Sequence, residues 1–173
     1  IPRTLNMAIS GIRDLSIIET PPVDRKSIET TVSRFDEEEI QQAITRELMR
    51  GGQVFFVHNQ VSTIEAMARR ISEMVPLARV GVAHGQMSRS QLEKIMTKFL
   101  NRSVNVLVTS AIISSGIDIP SANTIVINRA DKFGLADLYQ LRGRVGRSKT
   151  RGAALLLTPA AGQITKDARK RLA

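Results

Sequence analysis

From residue 36 onward the apolar positions switch repeatedly between two periods. Ile40, Ala43, Ile44 and Leu48 recur at helical spacing behind Asp36, a residue suited to an N-cap, with Glu37, Glu38 and Glu39 filling the first turn. Arg50 followed by Gly51 predicts the end of that helix. Ser62 and Glu65 have the spacing of a capping box for a second helix, which carries Ile64, Ala68 and Ile71 and stops before Pro76. Ser88 and Gln91 repeat the box ahead of Leu92, Ile95, Met96 and Phe99. Between and after these helices, "VFFVHN", "RVGVA", "VNVLVT", "TIVIN" and "AALLLT" are short and aliphatic enough to be strands covered on both faces. Strands alternating with helices predict an α/β fold, a mainly parallel sheet flanked by helices.

Residues 1–35 lack this alternation. "SIIETPP" and "SIETTVSRF" read as extended segments around Pro21 and Pro22, with a short helix near Leu5 to Ile9. The expected organisation is a connector over 1–35, one α/β lobe over 36–160, and the start of a further helical element over 161–173.

A parallel sheet brings the carboxyl ends of its strands to one edge, where open α/β sheets bind ligands. The residues that follow the predicted strands are Asn59 and Gln60, then His84, Gly85 and Gln86, then Thr109 and Ser110, then Asn128 and Arg129. All are polar and belong together at that edge. Loops are polar in any case, so no one of these sets identifies a site by itself.

Composition narrows the classes. At 173 residues and 42% hydrophobic, the chain is long enough for one core burying about 70% of its unfolded surface. It has no cysteine, which excludes disulfides and thiolate metal sites, and its two separated histidines give no metal ligand set, so no metal site is expected. No apolar run reaches the roughly 18 residues of a membrane span, and no signal segment opens the chain, so a cytoplasmic protein without membrane contact is expected. The first residue is Ile1, not Met, and a piece of a longer protein is expected. The net charge of +9 is concentrated: residues 129–173 hold 11 Lys+Arg against 3 Asp+Glu. A localised basic field suggests a polyanion. Aromatics are only 3%, which argues against a base-stacking platform and leaves phosphate contact.

The densest part of that field is "QLRGRVGR", Gln140 to Arg147. With a helix running from Ala136, Leu138, Leu141 and Val145 share one face, and Gln140, Gly143, Arg144 and Arg147 share another. Glycine in a helix interior costs about 1 kcal/mol against alanine, so two in four residues suggest a close approach, and arginine offers a planar fork of donors suited to phosphate. On this reading the arginines meet phosphate and the glycines make room for it. Only Asp131 and Asp137 are near enough in sequence to neutralise three arginines internally. A self-contained triphosphate site would need G-x-x-x-x-G-K-[ST], which is absent, as is G-x-G-x-x-G after a strand. The arginines could instead be supplied to a nucleotide held by another domain.

"TSAIISSGIDIP", Thr109 to Pro120, followed about 20 residues later by "QLRGRVGR", resembles motifs V and VI in the second RecA-like lobe of superfamily 2 helicases, a P-loop NTPase-type fold here lacking its own P-loop. "IPRTLNMAISGIRDLSIIETPP" is similar to the connector after motif III, and "ADKFGLADLYQLRGRVGRS" resembles one family closely, the bacterial transcription-repair coupling factors, ATP-driven double-stranded DNA translocases that displace stalled RNA polymerase. Fork-reversal helicases are similar too, but carry a "CPLIEES"-like segment where this chain has the compact "FFVHNQVSTIEAMARRI". One departure is Ser114 and Ser115 before Gly116, where the family commonly has Glu-Thr.

The resemblance implies roles. Arg144 and Arg147 would contact phosphate in the interlobe cleft. Gly116, Asp118, Gln140 and Gly143 would contact ATP, whose Mg²⁺ and phosphates are held mainly by the preceding RecA-like lobe. Asn59, His84, Gly85, Gln86, Thr109, Ser110 and Arg142 would touch double-stranded DNA through its phosphates, positioning without reading sequence. RNA polymerase and excision-repair proteins would be met through other domains, and "TKDARKRLA" would begin a translocation hairpin. The rival classes are a nucleic-acid-binding module without an ATP role, which leaves Gly116 and Asp118 unexplained, and a scaffold domain, which leaves the motif pair unexplained.

Overall fold

The computed structural model describes residues 27–110, 119–146, 150–160 and 163–173. In chain order the elements are β1 (Glu29–Arg34), α1 (Glu37–Met49), β2 (Gln53–Val57), α2 (Val61–Met74), β3 (Val80–Ala83), α3 (Arg89–Leu100), β4 (Val106–Thr109), β5 (Ala122–Ile127), a 3₁₀ turn (Ala130–Lys132), α4 (Leu135–Arg142), β6 (Ala153–Thr158) and α5 (Lys166–Leu172). The six strands form one sheet in the order β1-β6-β5-β2-β4-β3, and every neighbouring pair is parallel. The expected mainly parallel sheet flanked by helices is the architecture observed.

The strand period of two divides each buried strand between two cores. Val54 and Phe56 of β2 pack with Ile40 and Ile44 of α1 and with Ile64, Ala68 and Ile71 of α2. Phe55 and Val57 face the other way, toward Phe99 of α3 and Leu138 and Leu141 of α4. Both faces of the sheet are thus covered, which is why the central strands read as unbroken apolar runs.

Helix ends follow local chemistry in two of the three predicted cases. The Asp36 carboxylate accepts from the backbone N–H groups of Glu38 at 2.8 Å and Glu39 at 3.1 Å. Ser88 and Gln91 form the reciprocal box expected. The Ser62/Glu65 box is not formed. Helix α2 starts earlier, at Val61, with Gln60 at the N-cap and no side-chain cap, and Thr63 bonds back to the Gln60 carbonyl instead.

The segment read as a connector contributes a strand. β1 pairs in register with β6 from Glu29 opposite Ala153 to Arg34 opposite Thr158. In "ETTVSR" only Val32 is aliphatic, and five of the six residues are exposed, so the strand joins the sheet through backbone hydrogen bonds and leaves little hydrophobic signal. The readings made for residues 1–26 lie outside the described residues.

The four central strand ends are laced together. His58 N donates to Thr109 O at 2.9 Å, Asn128 N to Val57 O at 2.9 Å, and Ser110 N to Ala83 O at 3.2 Å. The polar residues after β2, β3, β4 and β5 therefore share one edge.

Candidate functional site

Helix α4 is set by its own ends. Gly134 N donates to the Asp137 carboxylate at 3.3 Å, and Leu138 and Leu141 point into the core. The helix stops at Arg142, where Gly143 N reaches Tyr139 O at 3.0 Å. Two tighter turns follow, closed by Arg144 N to Leu141 O at 3.1 Å and Val145 N to Arg142 O at 3.3 Å, and Val145 beside them is fully buried. The helix ends at Arg142 with Gly143 as its C-cap, so the expected helical stripe is corrected over the described residues: it holds to Gly143, and the chain then turns.

One of the two glycines has a reason within the domain itself. Gly146 has φ +73°, in the left-handed region, and a β-carbon there would lie 2.9 Å from Ile28 Cγ1. Gly143 ends the helix. At Gly146 the missing side chain thus answers backbone shape and packing inside the domain.

The arginines are another matter. Asp131 is held by Arg129 through two bonds, 2.9 and 3.0 Å, and these hold its carboxyl below the ordinary carboxylate range against the opposing effect of burial. Asp137 is occupied by its own helix start. Both carboxylates near the arginine run are thus used elsewhere. Arg142 lies over the Tyr139 ring at 5.0 Å. Arg144 is half-buried, and its guanidinium has no hydrogen-bond or ion-pair partner among the described residues. A half-buried cation without a carboxylate among the described residues is a fit for an anion. Gln140 is exposed one turn before it. Gly116, Asp118 and Arg147 lie outside the described residues.

At the carboxyl edge, Asn59, Gly85 and Gln86 are exposed and His84 is half-buried, its Nδ1 accepting from Gln86 N at 3.3 Å. Thr109 and Ser110 are placed beside them but their side chains are buried; the Thr109 hydroxyl donates to Ser110 O at 3.0 Å. Of the four expected sets, the edge thus presents those after β2 and β3 and encloses Thr109 and Ser110 between neighbouring strands; after β5, Asn128 is buried against His58 and Arg129 is exposed but paired with Asp131.

Sequence reasoning passed over His58. It is buried at the end of β2, accepts at Nδ1 from Asn128 Nδ2 at 2.9 Å, and bonds at Nε2 to Thr63 Oγ1 at 2.8 Å. An amide donor on Nδ1 fixes the neutral ring with its proton on Nε2, and burial lowers its pKa. The ring joins the β2–α2 loop, which carries Asn59, to the loop after β5. A polar residue closing an otherwise apolar run was the available signal.

Residues 37–149 match the helicase conserved C-terminal domain. The chain belongs to that family. This helicase C-terminal domain is 55% identical over 172 residues to the transcription-repair-coupling factor of Myxococcus xanthus, covering 99% of this chain and 14% of that protein. It is 55% identical to the factor of Escherichia coli K12, again over 99% of this chain and 15% of the other. The chain therefore spans about one-seventh of the length of these relatives. Among solved structures, RecG bound to a three-way DNA junction superposes with a TM-score of 0.77 at 33% identity, covering 99% of this chain and 23% of that one. No helix among the described residues is long and apolar enough to cross a membrane.

Proposed function

We propose that this chain is the C-terminal motor lobe of an ATP-dependent double-stranded DNA translocase that acts in transcription-coupled repair in the bacterial cytoplasm by displacing stalled RNA polymerase. The observation that carries the reading is Arg144, a half-buried cation without a carboxylate partner among the described residues, where Asp131 and Asp137 are engaged elsewhere. The 55% identity to coupling factors supports this class over a fork-reversal helicase, for which the identity to RecG is 33%.

Bound ATP supplies the phosphoryl transfer that drives movement, with Mg²⁺ and most phosphate contacts provided by the preceding RecA-like lobe. From this side, Arg144 and Arg147 hold positive charge where it develops on the phosphoryl oxygens, a contribution that reaches about 10³ to 10⁵ in rate for arginines so placed. Gln140 and Gly143, with Gly116 and Asp118, border the nucleotide. Asn59, His84, Gly85 and Gln86 grip DNA phosphates at the carboxyl edge, joined by Thr109, Ser110 and Arg142 where the chain rearranges around DNA. Residues 161–173, including α5, begin the translocation hairpin. RNA polymerase and excision-repair proteins are engaged by other domains of the complete protein.

The test compares this chain alone with the same chain joined to a P-loop lobe. The chain alone is expected to hydrolyse no ATP and to bind nucleotide weakly at most, and the joined protein to show DNA-stimulated hydrolysis. Hydrolysis by the chain alone at a motor's rate, or DNA binding by the joined protein indifferent to nucleotide, contradicts the reading. The second outcome would favour a binding module without an ATP role.

A further inference from the structure

The amino-terminal edge of the sheet, opposite the loops assigned to DNA, carries a patch of exposed apolar side chains. Met49 at the end of α1 is 73% exposed, Leu77 ahead of β3 is 51% exposed, and Leu100 at the end of α3 is 60% exposed. Met49 and Leu77 line one cleft of about 360 Å³ together with Leu48, Arg79, Arg102 and Asn105. The cleft is a shallow seat with apolar walls at Leu48, Met49 and Leu77, bordered by two cations and completed by Gly51, Gly52 and Gln53.

Those cations are held in place by carbonyl groups and not by acids. Arg79 donates from Nε to Ser103 O at 3.2 Å and from a terminal nitrogen to Arg102 O at 3.0 Å. Arg102 donates to Gly51 O at 3.1 Å. Neither arginine enters an ion pair among the described residues. The loop that presents Leu77 and Arg79 is pinned as well, since Asn105 accepts from Arg79 N at 2.7 Å and donates to Leu77 O at 3.0 Å. Arg102 adopts φ 65°, a left-handed conformation that glycine or asparagine would take more readily after a helix. The side chains are thus fixed before any partner arrives, which lowers the ordering cost of binding.

We propose that this edge is a docking site for an acidic protein segment that carries apolar side chains. Carboxylates would meet Arg79 and Arg102, and a leucine or similar side chain would enter the cleft between Met49 and Leu77. Charge complementarity selects the acidic partner, and the exposed Met49 and Leu77 favour one with apolar side chains over a phosphate backbone, which offers nothing to bury against them. Strands of four to six residues separate this edge from the carboxyl edge, roughly 15 Å at about 3.3 Å per residue. A partner seated here leaves the opposite edge free. The inference does not depend on nucleotide chemistry.

The test is amide NMR of this chain titrated with a synthetic amphipathic peptide whose helically spaced leucines are flanked by glutamates. Saturable shifts confined to the surroundings of Met49, Leu77, Arg79 and Arg102 are expected. They should be absent with lysine-for-glutamate and serine-for-leucine versions of the peptide. Met49→Asp combined with Leu77→Asp alters only exposed side chains and is expected to weaken binding about tenfold or more at unchanged melting temperature. Arg79→Gln combined with Arg102→Gln is expected to do the same. Equal binding of the lysine peptide overturns the proposal, as do shifts centred on the carboxyl edge or displacement of the peptide by a short DNA duplex. Absence of saturable shifts with the acidic peptide overturns it too.

Discussion

Asn128 donates an amide hydrogen to His58 across the ends of β5 and β2, at 2.9 Å. The bond exists only while His58 Nδ1 is unprotonated, and Thr63 secures the other ring nitrogen. No charged group is among these partners, and burial lowers the histidine's pKa from its ordinary 6.5.

A pH dependence of defined sign results. In the unfolded chain this histidine protonates near its ordinary value, while in the fold it does so only at lower pH. Between the two values the unfolded state binds more protons, so stability is fully present above pH 6.5 and falls as pH falls through the folded pKa. Urea unfolding at a series of pH values should show this loss on going below pH 6.5. His58→Gln, which cannot titrate, should flatten that segment of the profile; an unchanged profile would mean that His58 does not contribute.

Arg144 is the position at which catalysis and folding are expected to separate. Its guanidinium has no partner among the described residues, while Leu138, Leu141 and Val145 hold the segment to the core. Arg144→Ala in the complete protein is expected to lose about 10³ or more of DNA-stimulated ATPase rate, with the melting of this domain within a degree or two of the parent. Arg147→Ala is expected to act in the same direction. Lysine at position 144 should rescue poorly, since it lacks the planar fork. Near-normal hydrolysis in both alanine variants would remove the arginines from the nucleotide.

Gly146→Ala should do the reverse. The residue sits at φ +73° with Ile28 Cγ1 2.9 Å from the place a β-carbon would take. A loss of about 1 to 3 kcal/mol is expected by urea unfolding. A neutral effect would mean that the turn after α4 rearranges at little cost.

DNA binding by this chain alone should be weak, indifferent to sequence and steeply salt-dependent. Residues 129–173 carry a net charge of +8, and only 3% of the chain is aromatic, so affinity rests on phosphate contacts. With about three such contacts, affinity should fall about tenfold or more between 50 and 200 mM salt. Fluorescence anisotropy with duplexes of different sequence measures both properties.

The two repeating periods were enough to specify α1, α3 and the central strands, because residues buried on a helix stripe or on both sheet faces must be apolar at fixed spacing. The Asp36 and Ser88 caps were legible for a similar reason: a cap is chemistry within four residues. That Arg144 would lack a nearby carboxylate partner was legible in composition, since too few acids lie near it in the chain. Other features depended on contacts between distant residues. β1 joins the sheet by backbone pairing with β6, across more than 120 residues, and its exposed side chains record nothing of it. The glycine at 146 answers Ile28, which is equally remote in sequence. His58 acquires its role from Asn128, seventy positions away. Thr109 and Ser110 are polar in the sequence but enclosed in the fold, because neighbouring strands cover the end of β4. Local free energies are written in neighbouring residues, whereas the packing of one strand end against another is decided only when the sheet order brings them together.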